Sequence, residues 1–166
     1  TFTKMLATLI IPTEGRAWVC GYDIVEQDKE VRRVIGWMQG ETGGRALYWR
    51  LSGRDNLRFF ATLQDVPKDV AEERINALLK FLDMEKDADR PVRYYSTGMK
   101  VKIMLIRSLI HDPEVLIMDE PTIGLDVASA VKVRALLKAL SEELGKTVLF
   151  TSHNMFETEQ LCERIA

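Results

Sequence analysis

The sequence predicts an α/β fold, with a parallel sheet core interrupted by an inserted, almost wholly helical segment. Three observations predict it. Short β-rich runs at 16–19, 34–38, 115–118 and 147–151 are separated by stretches with helical spacing. At the C-terminal end the order strand, helix, strand, helix is that of βαβ units, which build parallel sheets. The stretch from about 51 to 90 carries helical spacing almost throughout, so it reads as an insertion between two sheet-forming ends.

The elements follow in order. Ile75, Leu78, Leu79 and Leu82 recur at i, i+3, i+4 and i+7, the stripe of an amphipathic helix. Residues 101–110 are apolar nearly all round, so that helix belongs deep in the interior. Val115-Leu116-Ile117-Met118 shows no alternation, as expected of a strand buried on both faces. Val133, Leu136, Leu137, Leu140 and Leu144 form a second helical stripe. Asn154 with Glu157 three residues on makes a capping box for the last helix. Pro12, Pro67, Pro91, Pro113 and Pro121 fall at boundaries between these elements.

Composition narrows the function. The chain has 166 residues, 46% of them apolar, which suits a single buried core. Lys and Arg number 23 against 25 Asp and Glu, so the strongly basic footprint of a general nucleic-acid binder is missing. Cys20 and Cys162 lie far apart, and no Cys/His spacing fits zinc. No apolar run approaches the roughly 18 residues of a bilayer span. The opening Thr1-Phe2-Thr3-Lys4-Met5-Leu6 lacks the pattern of a signal peptide.

Three constellations carry chemistry. Asp119 and Glu120 close the buried strand before Pro121. Neighbouring strand residues point to opposite faces, so one carboxylate can hold a metal while the other handles a water. In open parallel sheets the carboxyl ends of strands are where ligands bind. The alternative is a solvated turn. Tyr95-Ser96-Thr97-Gly98-Met99-Lys100 opens the buried helix, placing hydroxyls and backbone N–H groups at a helix N-terminus that suits a phosphate. The alternative is simple capping by Ser96 or Thr97. Thr151-Ser152-His153 ends the last strand at the same sheet edge, while His111 sits in a helix-ending His-Asp-Pro turn and has a purely structural reading.

In this order and spacing the motifs resemble those of the ATP-binding-cassette (ABC) ATPases. Tyr95–Met99 is similar to their signature motif, 115–119 to the Walker B strand, Glu120 to the catalytic carboxylate, 123–126 to the D-loop and His153 to the switch histidine. The resemblance implies a P-loop NTPase-like fold, with core at about 1–46 and 113–166 and a helical subdomain at about 47–112. It implies that Asp119 holds Mg²⁺, that Glu120 polarises the water attacking the γ-phosphate of ATP, and that His153 helps fix that water. Ser96, Thr97 and Gly98 would contact nucleotide held mainly by a second cassette in a head-to-tail dimer, with Asp126 at the interface.

Gln39 resembles the Q-loop glutamine, a nucleotide-linked Mg²⁺ ligand. The family pattern places that residue one position later, at Gly40, and Glu41 is a further alternative, as is an incidental Gln on a surface loop. Tyr48 and Trp49, entering the helical subdomain, would either anchor a transmembrane permease partner or pack on the chain's own helices. Thr97 and Met99 depart from the usual Gly and Gln, in the manner of exporter-type cassettes for drugs, lipids or polysaccharides. No Gly-x-x-x-x-Gly-Lys-[Ser/Thr] occurs, and the chain opens like the segment after it. The expectation is therefore a fragment without the P-loop, inactive alone, from an export ATPase at the cytoplasmic face of the membrane, with no nucleic-acid partner. A soluble ABC ATPase acting on nucleic acid or ribosomes, or a non-hydrolysing regulatory cassette, is the alternative.

Overall fold

The computed structural model describes residues 1–39, 46–162 and 164–165, without the side chains of Phe156, Glu157 and Gln160. Gly40, Glu41 and the Glu157 half of the capping box therefore lie outside the described residues.

Strands β3 (Ile35–Gln39), β4 (Val115–Asp119) and β5 (Thr147–Thr151) pair in that order as a parallel sheet. Parallel neighbours need crossover connections. Helices α3 (Gly53–Leu63), α4 (Lys68–Phe81) and α5 (Thr97–Leu109) lie between β3 and β4, and α6 (Val127–Glu142) lies between β4 and β5. Helix α7 (Met155–Leu161) follows β5.

Side-chain alternation sorts the sheet into two faces. Met38, Leu116 and Met118 join the larger apolar cluster with Leu57, Ile75, Leu79, Ile103, Ile106, Val133 and Leu137 from α3 to α6. Ile35 and Ile117 join the smaller cluster on the other face, with Val31 of α2 (Asp28–Val34) and Ala7 just beyond α1 (Phe2–Leu6). With both faces covered, Leu116, Ile117 and Met118 are all buried, which accounts for the absence of polar alternation.

Helix α5 is apolar over most of its surface because most of it is enclosed, with Lys100, Lys102 and Arg107 on its half-exposed side. Its residues Val101, Ile103, Met104, Leu105, Ile106 and Leu109 are all buried. It lies directly on β3, where Gly36 permits the approach: a Cβ there would stand 2.2 Å from the Ser108 carbonyl oxygen.

The structure departs from the sequence reading in three places. The run at 16–19 contributes only β1 (Trp18–Val19), which pairs antiparallel with β2 (Tyr22–Asp23) in a separate hairpin. Cys20 (φ 51°) and Gly21 (φ 83°) both have positive φ, the requirement of a tight I′-type turn whose twist matches its strands. Helix α2 has no long apolar stripe to announce it, and Val34, expected to open a strand, closes this helix instead. Leu144 lies beyond the end of α6 and is 65% exposed, because the chain turns at Gly145 (φ 65°) and the Lys146 N–H returns to the Leu140 carbonyl.

Candidate functional site

The carboxyl ends of the three parallel strands form one row: Gln39 stands opposite Asp119, and Asp119 opposite Thr151. The Thr151 hydroxyl donates to Asp119 Oδ1 at 2.5 Å. That bond orients the carboxylate and leaves its second oxygen for another partner.

Glu120 leaves the row abruptly. Its N–H still donates to the Thr151 carbonyl at 3.1 Å, but its φ is 53°. A non-glycine residue in this left-handed region costs about 1–2 kcal/mol. Such strain concentrates where a side chain must be aimed rather than merely accommodated. Glu120 is mostly shielded, with 21% of its side chain exposed, whereas the His153 side chain is 99% exposed. His153 Nε2 lies 3.5 Å from Glu120 Oε1. That separation is too long for a strong hydrogen bond, and it pairs the two groups electrostatically when His153 is protonated. Glu120 and His153 line an open groove of about 690 Å³ with Thr122, Arg134, Ser152 and Asn154.

The segment from Ser96 to Gly98 abuts the loop after β4. A Cβ on Gly98 would lie 3.0 Å from the Gly124 carbonyl oxygen, and a Cβ on Gly124 would lie 2.9 Å from Thr97 Cγ2. The two segments thus approach closely at these glycines, and Gly124 also has φ 73°.

Ser96 and Asp126 are engaged locally. Ser96 Oγ accepts from the Met99 N–H at 3.2 Å and caps α5. Asp126 caps α6: the Ser129 hydroxyl and N–H donate to its two carboxylate oxygens at 2.6 and 2.9 Å. These bonds hold the Asp126 carboxyl below the usual carboxylate range. Tyr48 packs edge-on against Phe59 with ring centroids 4.9 Å apart, yet remains 49% exposed, while Trp49 is 55% exposed beside Arg50.

The donors at the sheet edge suit Mg²⁺. Asp119 and Gln39 offer side-chain oxygen donors, and Mg²⁺ typically takes one or two carboxylates and completes its shell with water and phosphate. Thr97 and Gly98, at the start of a 13-residue helix, suit an anion. The sequence reading overlooked the orienting Thr151 hydroxyl and the groove residue Arg134. Counting the strands back from Asp119 and Thr151 would have shown the first. Nothing local marks the second, since Arg134 comes from the far strand-to-strand helix.

The sequence profile of the ABC transporter family matches residues 1–123. The ABC transporter ATP-binding protein NatA of Bacillus subtilis is 39% identical over 166 residues, which is 99% of this chain and 66% of that protein. The daunorubicin resistance ATP-binding protein DrrA3 of Streptomyces coeruleorubidus is 37% identical, over 100% of this chain and 51% of its own length. The bacitracin transport ATP-binding protein BcrA of Bacillus licheniformis is 33% identical, over 99% and 52%. The chain thus spans between about half and two thirds of the length of these curated relatives. Among solved structures, the dimeric post-hydrolysis state of the ATP-binding cassette MJ0796 with ADP and Pi superposes with a TM-score of 0.81 at 25% identity, covering 94% of this chain and 70% of that one. An ATP-binding subunit of an ABC transporter gives 0.83 at 26% identity, covering 98% and 66%. By its sequence profile, its relatives and its α/β fold, the chain belongs to the ABC transporter family of ATP-binding subunits.

Proposed function

We propose that the chain binds and helps hydrolyse ATP within a subunit that powers export through a separate transmembrane permease. It acts in a head-to-tail pair of cassettes at the cytoplasmic face of the membrane. The observation that carries this is the Asp119–Glu120–His153 arrangement at the ends of β4 and β5, where a strained Glu120 carries its carboxylate to within 3.5 Å of His153. The names of DrrA3 and BcrA, which speak of drug resistance and of bacitracin transport, support the export direction. The dimeric MJ0796 cassette supports pairing. Among the described residues no helix is long and apolar enough to cross a membrane.

Each residue has a part. Glu120 accepts a hydrogen bond from the attacking water and aims it. His153 steadies that water on the phosphate side. Asp119 and Gln39 would hold Mg²⁺, which would supply charge neutralisation at the phosphates, and the Thr151 hydroxyl orients the Asp119 carboxylate. Ser96, Thr97 and Gly98 meet the nucleotide of a second cassette, and Asp126 lies at the junction. Phosphoryl transfer depends mainly on such positioning and charge neutralisation.

Glu120→Gln in the protein at its native length tests the reading. The variant should bind ATP, accumulate as a nucleotide-bound dimer and turn over about 100-fold more slowly or worse, the usual weight of a lost general base. Hydrolysis near the wild-type rate would remove Glu120 from the reaction.

A further inference from the structure

Two segments far apart in sequence build an exposed aromatic and basic face that the catalytic assignment leaves unused. Tyr48 to Leu51 form a turn, closed by the Leu51 N–H on the Tyr48 carbonyl at 3.1 Å. Pro91 to Tyr94 run against it: the Val92 N–H donates to the Leu51 carbonyl and the Arg93 N–H to the Trp49 carbonyl, both at 2.9 Å. Ser52 and Pro91 add an antiparallel bridge. Behind the face Val92 and Tyr95 are buried, and the Tyr95 hydroxyl donates to the Asp87 carbonyl at 2.6 Å. The backbone under the face is therefore held in place.

The side chains in front of it reach into solvent. Trp49 is 55% exposed, Tyr94 58% and Leu51 39%. The Arg50 guanidinium lies 4.9 Å above the Trp49 ring, and the Arg93 guanidinium 4.7 Å above the Tyr94 ring. Among the described residues neither arginine pairs with a carboxylate, because Asp55, Asp87 and Asp89 are taken by Arg58, Arg90 and Arg54. The face thus keeps two positive charges, which call for an anionic partner. Its relief decides which kind. None of the larger cavities among the described residues is lined by Trp49, Arg50, Leu51, Arg93 or Tyr94. Anchors between proteins fill pockets, whereas a fluid headgroup layer needs none. Trp and Tyr rings settle at the level of lipid headgroups, and a guanidinium fork matches a phosphate.

We infer that this face rests on anionic phospholipid headgroups, with Arg50 and Arg93 on the phosphates and Trp49, Leu51 and Tyr94 sunk beside them. This rests on the proposed place of the chain at the cytoplasmic face of the membrane and deepens it. Stable peripheral attachment takes two weak signals, so the lipid contact would supplement the hold of a permease.

The test is sedimentation of the protein at its native length with vesicles of phosphatidylcholine, alone or mixed equally with phosphatidylglycerol. A basic residue near an anionic leaflet contributes about fivefold in affinity. The double variant Arg50→Gln, Arg93→Gln should therefore bind the mixed vesicles about 25-fold more weakly than wild type, with no change on phosphatidylcholine alone. Arg50→Lys with Arg93→Lys should keep most of the affinity, and added salt should weaken wild type toward the glutamine variant. Mixed vesicles should also shift the tryptophan emission to the blue, and Trp49→Phe should abolish that shift. Equal affinity of wild type and glutamine variant for mixed vesicles, or no binding by wild type, overturns the inference. Weaker attachment of the glutamine variant to permease-bearing membranes, with unchanged affinity for protein-free vesicles, would assign the face to a protein and overturns it as well. ATP hydrolysis should be unchanged in every variant. A wild-type protein that binds the vesicles but does not hydrolyse ATP would overturn the ATPase reading and leave the lipid contact standing.

Discussion

Gly36→Ala tests how closely α5 must sit on the sheet. The new Cβ would fall 2.2 Å from the Ser108 carbonyl oxygen, 2.7 Å from Leu116 Cδ2 and 2.9 Å from Pro113 Cγ. The Leu116 methyl can rotate aside, but the Ser108 carbonyl is helix backbone and cannot. An ordinary carbon–oxygen contact is about 3.3 Å, so β3 and α5 must part by about 1 Å. Overpacking of this kind costs about 1–3 kcal/mol, and a backbone obstacle points to the upper end. The lower chain entropy of Ala returns about 0.5–1 kcal/mol, leaving a net loss near 2 kcal/mol. With a urea slope of about 2 kcal/mol per molar, the unfolding midpoint should fall by about 1 M. Trp37, the next residue, provides the fluorescence signal. The same displacement moves the Thr97–Gly98 end of α5, and about 1 Å of misplacement can cost about 100-fold in rate. An unchanged midpoint with an unchanged rate would show that α5 adapts without disturbing either the core or the site, and that its close seat on Gly36 is not needed.

Two further predictions concern single side chains. Thr151→Val removes the hydroxyl that orients Asp119; turnover should fall by about tenfold, as for other partners of metal ligands, while the thermal midpoint moves little. Equal losses of rate and of folded protein would argue that Thr151 only packs. His111 donates through Nε2 to the Ile35 carbonyl, which leaves its buried Nδ1 an acceptor without a partner among the described residues. Burial pushes its pKa below the ordinary 6.5, with Asp112 opposing and Arg74 and Lys146 reinforcing the shift. The unfolded chain therefore takes up this proton first, so stability holds above about pH 7 and falls as pH drops through 6.5. The slope should be no steeper than about 1.4 kcal/mol per pH unit for this one proton. His111→Gln keeps a donor for Ile35 and should flatten that part of the profile; identical profiles would show that His111 is not the group responsible.

Much of the fold was legible because burial leaves local traces. A strand covered on both faces loses its alternation, so Leu116, Ile117 and Met118 announced β4. Ile75, Leu79 and Leu82 announced α4 through helical spacing, and all three are buried. The candidate site residues Asp119, Glu120 and His153 stand out in the sequence for a related reason: polar groups ending a buried strand stand at the edge where open parallel sheets bind ligands. Helix α2 and the β1–β2 hairpin left weaker traces. One is short, and the other turns on Cys20 and Gly21, a pairing without the usual turn signature.

The sequence alone marked β4, α4, α5 and α6 and the places of Asp119, Glu120 and His153, because those follow from neighbours a few residues apart. It could not determine the positive φ of Glu120, the hydroxyl of Thr151 on Asp119, or the grip of Arg107 on Ala46. Each of these depends on partners brought together from distant positions by the parallel register and by the close seat of α5 on Gly36. The 32 residues from Asp119 to Thr151 and the 61 from Ala46 to Arg107 are closed only when the sheet and its covering helices pack. Short-range spacing decides what each segment becomes, and long-range packing decides which side chains meet.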